Sequence, residues 1–311
     1  ISGEALLIRR LLQARGIASE IYCVHAHEKV KAAATPFVHL DLDAGSSDAA
    51  LLLHYSLGSP LNDLYRSADR FSRALLYHNL TPEKWFRAYN ARVTEDLSRG
   101  RIELPQLLKL SDLVLADSTF NRDELVPMGC ATATVLPLAF DGERWSEPAN
   151  AGVAGILRGH GGTNILHVGR LAPNKCIEDI IKAFYFYHHK INRKSRLWLI
   201  GIDIDTEIYS FELRRLVSEL RLNEAVHFAG APSDGELRAF YENTDLYLSM
   251  SEHEGFCLPL LEAMYFGVPV VAFDACAVAE TLGEAGILLA RKAPAEVAEL
   301  IELVIADAAL R

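Results

Sequence analysis

The feature that most narrows the fold is an alternation: strand-like runs at 19–24, 50–55, 74–78, 113–117 and 133–138, with helical segments between them. The later runs are apolar throughout. A strand wet on one face alternates apolar with polar residues, whereas one buried on both faces does not, and burial on both faces belongs to parallel sheets covered by helices. Further runs follow at 164–168, 197–201, 246–250, 270–273 and 287–290. The expectation is an α/β chain of parallel sheets, in which ligands gather at the carboxyl ends of the strands.

Between the two series the pattern lapses. Pro148, Asn150, Gly152, Gly155, Gly159, Gly161 and Gly162 have the composition of a linker. The reading therefore places one Rossmann-like domain at 1–145, a linker at 146–162 and a second Rossmann-like domain at 163–311. A chain of 311 residues is long enough for two cores. Ile1-Ser2-Gly3 runs directly into a helix at 4–13 with Gly16 as its stop, and the chain closes in a helix ending at Arg311. An aromatic helix is expected at 83–99, with Trp85, Phe86 and Tyr89 serving the core or an acceptor groove.

Charge and cysteines exclude several classes. The net charge of −10 disfavours nucleic acid, which needs clustered Lys and Arg. A local basic excess at Arg66, Arg70, Arg73, Lys84, Arg87, Arg92, Arg99 and Arg101 could face lipid phosphates or an anionic acceptor, although such a run is more often a solvated face. Five cysteines without C-x-x-C spacing indicate neither a disulfide framework nor a zinc site, so a reducing, cytoplasmic protein is expected. No apolar stretch reaches the ~20 residues needed to span a bilayer, which leaves only peripheral membrane contact.

The chemistry concentrates at 251–262. An apolar strand leads into Ser251-Glu252-His253-Glu254-Gly255-Phe256-Cys257, and Pro259 marks the start of a helix, where its missing N–H costs nothing. A helix N-terminus is a ready anion site. Glu254 in the loop and Glu262 in the helix add carboxylates that accept from hydroxyls, an arrangement suited to a sugar nucleotide. Ser251 to Glu254 also fits a capping box, but Gly255 and Pro259 would then lie inside the helix. Glu262 alone could be a solvated face residue. A loop at 169–175 carries two cations, Arg170 and Lys175, at the end of the 164–168 strand.

These residues carry a resemblance. Glu254 and Glu262 with seven residues between, Gly-Phe-x-Leu-Pro inside, and then Glu262-Ala-Met and Gly267-Val-Pro-Val-Val, resemble the nucleotide-sugar signature of the retaining glycosyltransferases of family 4, which have the GT-B fold. Members usually have Gly where this chain has Cys257, and a Gly-rich turn before the next Glu where it has 274–280. The resemblance implies two doubly wound domains facing across a cleft, the first for the acceptor and the second for the donor. The family's first strand and C-terminal crossover helix are missing from the pattern.

The resemblance also implies roles. Glu262 would hold the ribose diol, Glu254 the hexose hydroxyls, and Arg170 and Lys175 the diphosphate. Gly3, Gly169, Gly255, Phe256 and Leu258 would lie against the donor, Gly3 being equally compatible with a helix start that binds nothing. His78 ends a strand ahead of Thr81-Pro82 and resembles the family's active-site histidine. His54, Asp117 and Ser118, at other strand ends, are candidate acceptor contacts. Asp203 and Asp205, like Asp41 and Asp43, form D-x-D patterns that are taken as coincidence, so no metal is expected.

The reading is a metal-independent retaining glycosyltransferase moving a hexose from a GDP- or UDP-hexose to a glycan or glycolipid, with no other cofactor. A nucleotide-sugar epimerase of the same fold and a catalytically inactive sugar-nucleotide-binding protein are the alternatives.

Overall fold

The structure, a computed structural model, describes residues 2–26, 28–43 and 48–307. The chain divides into two compact units, Ile1–Lys84 with Arg92–Ala139, and Trp85–Ala91 with Phe140–Arg311.

Unit 1 opens with α1 (Ser2–Gln13), and Gly16 follows in the left-handed region at φ 77°. Two short strands, β1 (Tyr22–Cys23) and β2 (Thr35–Pro36), pair in parallel. The main sheet is parallel throughout and runs in chain order: β3 (Ala50–Tyr55), β4 (Ser72–Tyr77), β5 (Leu113–Ala116) and β6 (Thr134–Val135). Its helices are α2 (Leu61–Ser67), α3 (Ala91–Leu110) and α4 (Thr119–Leu125). The run at 133–138 shrinks to two residues because β6 is an edge strand and Pro137 has no N–H to continue the ladder. The expected helix at 83–99 is displaced. A single 3-10 turn covers Glu83–Trp85 and α3 begins only at Ala91, because Trp85 and Tyr89 are recruited to the core of unit 2.

Unit 2 contains α5 (Ala151–Gly159), β7 (Thr163–Val168), α6 (Ile177–Phe186), β8 (Ser195–Ile200), α7 (Glu207–Glu219), β9 (Val226–Gly230) and α8 (Asp234–Glu242). After these come β10 (Leu246–Ser249), α9 (Leu258–Tyr265), β11 (Val270–Phe273), α10 (Val278–Leu282), β12 (Ile287–Leu289) and α11 (Pro294–Ala306). The six strands are parallel in the order β12-β11-β10-β7-β8-β9. Both faces are apolar, which is why the strands read as continuous runs. Ile165, Leu197, Leu199, Leu246, Leu248 and Val271 pack with residues of α6, α7 and α11. Their neighbours Leu166, Trp198, Ile200, Tyr247, Val270 and Ala272 pack with residues of α8, α9 and α10 on the other face.

The stretch read as a linker is folded. Asn150 caps α5 by accepting from the Val153 amide, and Ala154 and Leu157 are buried, so Gly152, Gly155 and Gly159 are absorbed into a helix. The capping box at 233–236 is present and opens α8. The closing helix stops at Ala306, and the expected extension to Arg311 lies outside the described residues. Three cysteines, Cys176, Cys257 and Cys276, occupy left-handed backbone at φ 48°, 73° and 55°. Two of them fall where the family has Gly or a Gly-rich turn, and the left-handed backbone that favours Gly persists there despite the side chain.

Candidate functional site

In unit 2 the sheet reverses direction of construction between β7 and β10, which lie side by side: Leu246 pairs with Ile165 and Tyr247 with Leu166. Loops leaving the carboxyl ends of two such strands flank a crevice, the standard ligand position in an open parallel sheet. The loop after β7 holds Arg170 and Lys175, and the loop after β10 holds Glu254. They are stitched together by Asn174, whose Nδ2 donates to the His253 carbonyl at 3.0 Å and whose own carbonyl accepts from the Glu252 amide at 2.9 Å.

Lys175 Nζ donates to both oxygens of Glu254, at 2.6 and 2.7 Å. Burial alone would raise the Glu254 carboxyl, but the Lys175 ammonium and hydrogen bonds from Ser251 and Cys257 hold it below the usual carboxylate range. Burial would likewise lower Lys175, and Glu254 holds it above the usual lysine range. An ammonium has three donors, so one remains after Glu254. Arg170 is half-buried, donates to the Ile204 carbonyl at 2.6 Å and lies over the Phe86 ring at 5.9 Å. Gly169 donates its amide to the Ile200 carbonyl at 2.8 Å.

Helix α9 starts at Leu258 with Pro259 in its first turn, so its positive end lies on the β10 loop. Gly255 and Phe256 are half-buried in that loop, and the Phe256 carbonyl accepts from the Thr281 hydroxyl. Glu262 is buried, which removes the solvated-face reading. Its Oε1 accepts from Arg144 at 2.7 Å and its Oε2 from the Tyr241 hydroxyl at 2.7 Å. Arg144 also pairs with Asp234 at 2.8 Å and stacks over Trp145 at 4.7 Å. A carboxylate has about four acceptor positions, so Glu262 retains capacity for a ligand diol. Sequence reasoning missed Arg144, Tyr241 and Asn174. Asn174 stood beside Lys175 in a loop already singled out, whereas Arg144, at the end of the presumed first domain, and Tyr241 carried no motif.

In unit 1 the strand ends converge as well. His54 lies on β3, His78 follows β4 and Asp117 follows β5, three adjacent parallel strands. His78 Nδ1 is 2.9 Å from Asp117 Oδ2, and His78 Nε2 is 2.8 Å from His54 Nδ1. Glu4 of α1, unmarked in the sequence, brings Oε2 to 3.4 Å from His78 Nε2. Burial lowers both imidazoles to about 3 and raises the Asp117 and Glu4 carboxyls to about 7. Ser118 is fully buried and its hydroxyl caps α4 by accepting from the Asn121 amide. Gly3 sits within α1, and a Cβ added there would meet nothing within 4 Å, so no close backbone approach requires glycine. The two D-x-D patterns join no group of three metal-capable side chains among the described residues.

The geometry of unit 2 defines a class of site: paired carboxylates, two cations and a helix start at the carboxyl edge of a doubly wound sheet. Comparison with known proteins gives the family. The profile of the glycosyl transferases group 1 matches residues 156–311, and the chain belongs to that family. A GDP-mannose-dependent alpha-mannosyltransferase of Mycobacterium tuberculosis is 29% identical over 170 residues, covering 54% of this chain and 41% of the relative. An MMP alpha-(1->4)-mannosyltransferase of Mycolicibacterium hassiacum is 38% identical over 86 residues, 28% of this chain and 21% of the relative. The chain thus spans about a fifth to two fifths of these curated relatives. Among solved structures, a glycosyltransferase from Rickettsia africae aligns at TM-score 0.71 with 14% identity, covering 98% of this chain and 84% of its own. Anabaena HepE, solved with UDP and glucose, aligns at 0.60 with 22% identity over 80% and 72% of the two chains. The fold is that of the GT-B glycosyltransferases. Among the described residues no helix is long and apolar enough to cross a membrane.

Proposed function

We propose that the protein transfers a hexosyl group from a nucleoside diphosphate sugar to a hydroxyl of a glycan or glycolipid, with retained anomeric configuration. The observation that carries this reading is the Lys175–Glu254 pair, formed where the loops of β7 and β10 meet beside the start of α9. In this reading Glu262 accepts from the ribose diol and Glu254 from the hexose hydroxyls. Arg170, the remaining donor of Lys175 and the α9 terminus meet the diphosphate as it gains charge on leaving. Gly169, Gly255, Phe256 and Leu258 line the donor, and unit 1 takes the acceptor with His78. Family membership favours a transferase over an epimerase or an inactive binding protein, and the relatives named for GDP-mannose and the neighbour bound to UDP support a GDP- or UDP-hexose.

A thermal-shift screen of nucleotide sugars tests the reading, because a ligand at a hundred times its Kd stabilises by about 2.7 kcal/mol. A screen in which no nucleotide or nucleotide sugar raises Tm contradicts it. Glu262→Ala is expected to weaken donor binding about ten- to a hundredfold in calorimetry, since hydrogen bonds to a charged group are worth about 1.5–3 kcal/mol. Glu262→Gln, which keeps one acceptor oxygen, does less damage. Unchanged donor affinity in Glu262→Ala removes the residue from the site.

Because two cations and a helix terminus face the leaving group, the donor chemistry is expected to proceed without a metal. Donor hydrolysis in the absence of acceptor then keeps its rate in excess EDTA. Loss of that activity with restoration by Mn²⁺ or Mg²⁺ would return Asp203 and Asp205 to the mechanism.

A further inference from the structure

We propose that Lys292, in the loop between β12 and α11, is a positioning residue for the donor chemistry: its ammonium latches the β10 loop to the start of α6 and so holds Glu254 against Lys175. The inference rests on the donor reading of unit 2 and adds to it a residue that touches neither the sugar nor the diphosphate.

The latch joins three segments. Lys292 Nζ donates to Glu252 Oε1 in the β10 loop at 2.8 Å and to Asp179 Oδ2 in the first turn of α6 at 3.3 Å. Its third partner is the thiol of Cys176, the residue before α6. The acceptor atoms of Cys176, Asp179 and Glu252 lie within 4.8 Å of one another, a set suited to one cation, and the ammonium fills it. An ammonium has three donors, so Lys292, unlike Lys175, has none left for a substrate. Burial alone would lower Lys292, but Glu252, Cys176 and Asp179 hold it above the usual lysine range, so the latch is charged. The side chain is 11% exposed and Nζ lies over the Phe273 ring at 4.7 Å.

The place of these contacts gives the latch its role. Cys176 follows Lys175 directly and Glu252 lies two residues before Glu254. Lys292 therefore grips the same two loops as the Lys175–Glu254 pair. The β10 loop has no regular secondary structure from 250 to 257, and bonds from outside it fix its course. Besides Asn174, the Ala277 amide donates to the Glu254 carbonyl at 3.3 Å and the Cys276 thiol to the Glu252 carbonyl at 3.5 Å. Cys176 and Cys276 both keep left-handed backbone, which a residue with a side chain retains only where its surroundings impose it. A cation bonded to Cys176 and Glu252 supplies part of that constraint. In the donor reading Lys175 meets the diphosphate and Glu254 the hexose, so the spacing of the two loops sets where the glycosidic bond lies. A misplacement of about 1 Å can cost about a hundredfold in rate.

Lys292→Met tests the latch, because it removes the three bonds and keeps an apolar stem against Phe273. Asp179 retains Lys182 at 3.0 Å and Glu252 is 42% exposed, so neither carboxylate is stranded and the fold is expected to hold. In the free variant, hydrogen exchange at the amides of 251–256 should be faster than in the wild type. With the GDP- or UDP-hexose that gives the largest thermal shift, kcat for donor cleavage should fall about ten- to a hundredfold, while affinity for free GDP or UDP changes little. Glu252→Ala should show the same split. Glu252→Gln, whose amide oxygen still accepts from Lys292, should keep most of the wild-type kcat. Unchanged exchange in Lys292→Met overturns the latch. Faster exchange with wild-type kcat overturns the positioning role, as do equal losses of kcat and nucleotide affinity, or Glu252→Gln proving as damaging as Glu252→Ala. Failure of the wild type to bind or cleave any nucleotide sugar removes the donor reading and the positioning role with it, whereas the exchange measurement still decides the latch.

Discussion

Lys175→Ala is expected to lower turnover about a hundredfold or more and to destabilise the protein at the same time. The first effect follows from charge. A departing nucleoside diphosphate gains negative charge as the glycosidic bond breaks, and each donor held in place for such charge contributes roughly 2.7–4 kcal/mol. The second follows from burial. Without Lys175 the Glu254 carboxylate, 8% exposed, loses the cation that contacts both its oxygens. Removing one partner of a buried pair costs about 3–5 kcal/mol. The two effects separate in the double variant Lys175→Ala with Glu254→Gln, which removes the orphaned charge: Tm should recover while turnover stays low. Arg170→Ala, whose side chain is less enclosed, should lower turnover to a similar degree with little change in Tm. Recovery of turnover along with Tm in the double variant would mean that Lys175 only holds the fold.

Gly201→Ala is expected to destabilise the protein without touching any charged group of the site. Gly201 follows β8 and passes directly beneath the loop that carries Arg170. A Cβ built there lies 1.8 Å from the Gly169 carbonyl oxygen and 2.6 Å from its carbon, both backbone atoms that no rotamer change can move aside. The loop cannot simply drift, because the Gly169 amide is bonded to Ile200 and the Leu171 amide to Ile202, each at 2.8 Å. Overpacking of this kind costs about 1–3 kcal/mol and more where backbone must shift, which for a unit of this size lowers Tm by roughly 2–12 °C or more. Donor affinity should fall too, since Arg170 moves with the loop. A melt within about 1 °C of the wild type would show that the loop yields.

Much of this was legible in the sequence because two-sided burial leaves a plain signal. The strands at 50–55, 270–273 and the core of 164–168 read correctly since both faces are apolar, as did the start of α9, where Pro259 tolerates one position only. The reading failed where tertiary context decides. The glycines of 151–162 look like a linker until Ala154 and Leu157 are seen buried in α5. Trp85 and Tyr89 sit in a helical pattern, yet they belong to unit 2 and pack against its core, and the helix waits until Ala91. In the candidate donor site the charged residues were visible as a spaced motif. Their partners were not, because Arg144 is 118 residues from Glu262 and no local pattern ties them. Glu4 was hidden for the same reason: a lone acid in a first helical turn reads as a helix-dipole residue.

The central claim is that unit 2 holds a nucleotide sugar whose hexosyl group is released with retention. The most direct measurement is proton NMR of the protein incubated with a panel of GDP- and UDP-hexoses in the absence of acceptor. The account predicts that at least one donor is slowly cleaved to nucleoside diphosphate and free hexose. The hexose should first appear in the donor's own anomeric configuration, at a rate reduced about a hundredfold by Arg170→Ala. Release of the opposite anomer, interconversion of the sugar with the diphosphate bond intact, or no cleavage of any donor would contradict it.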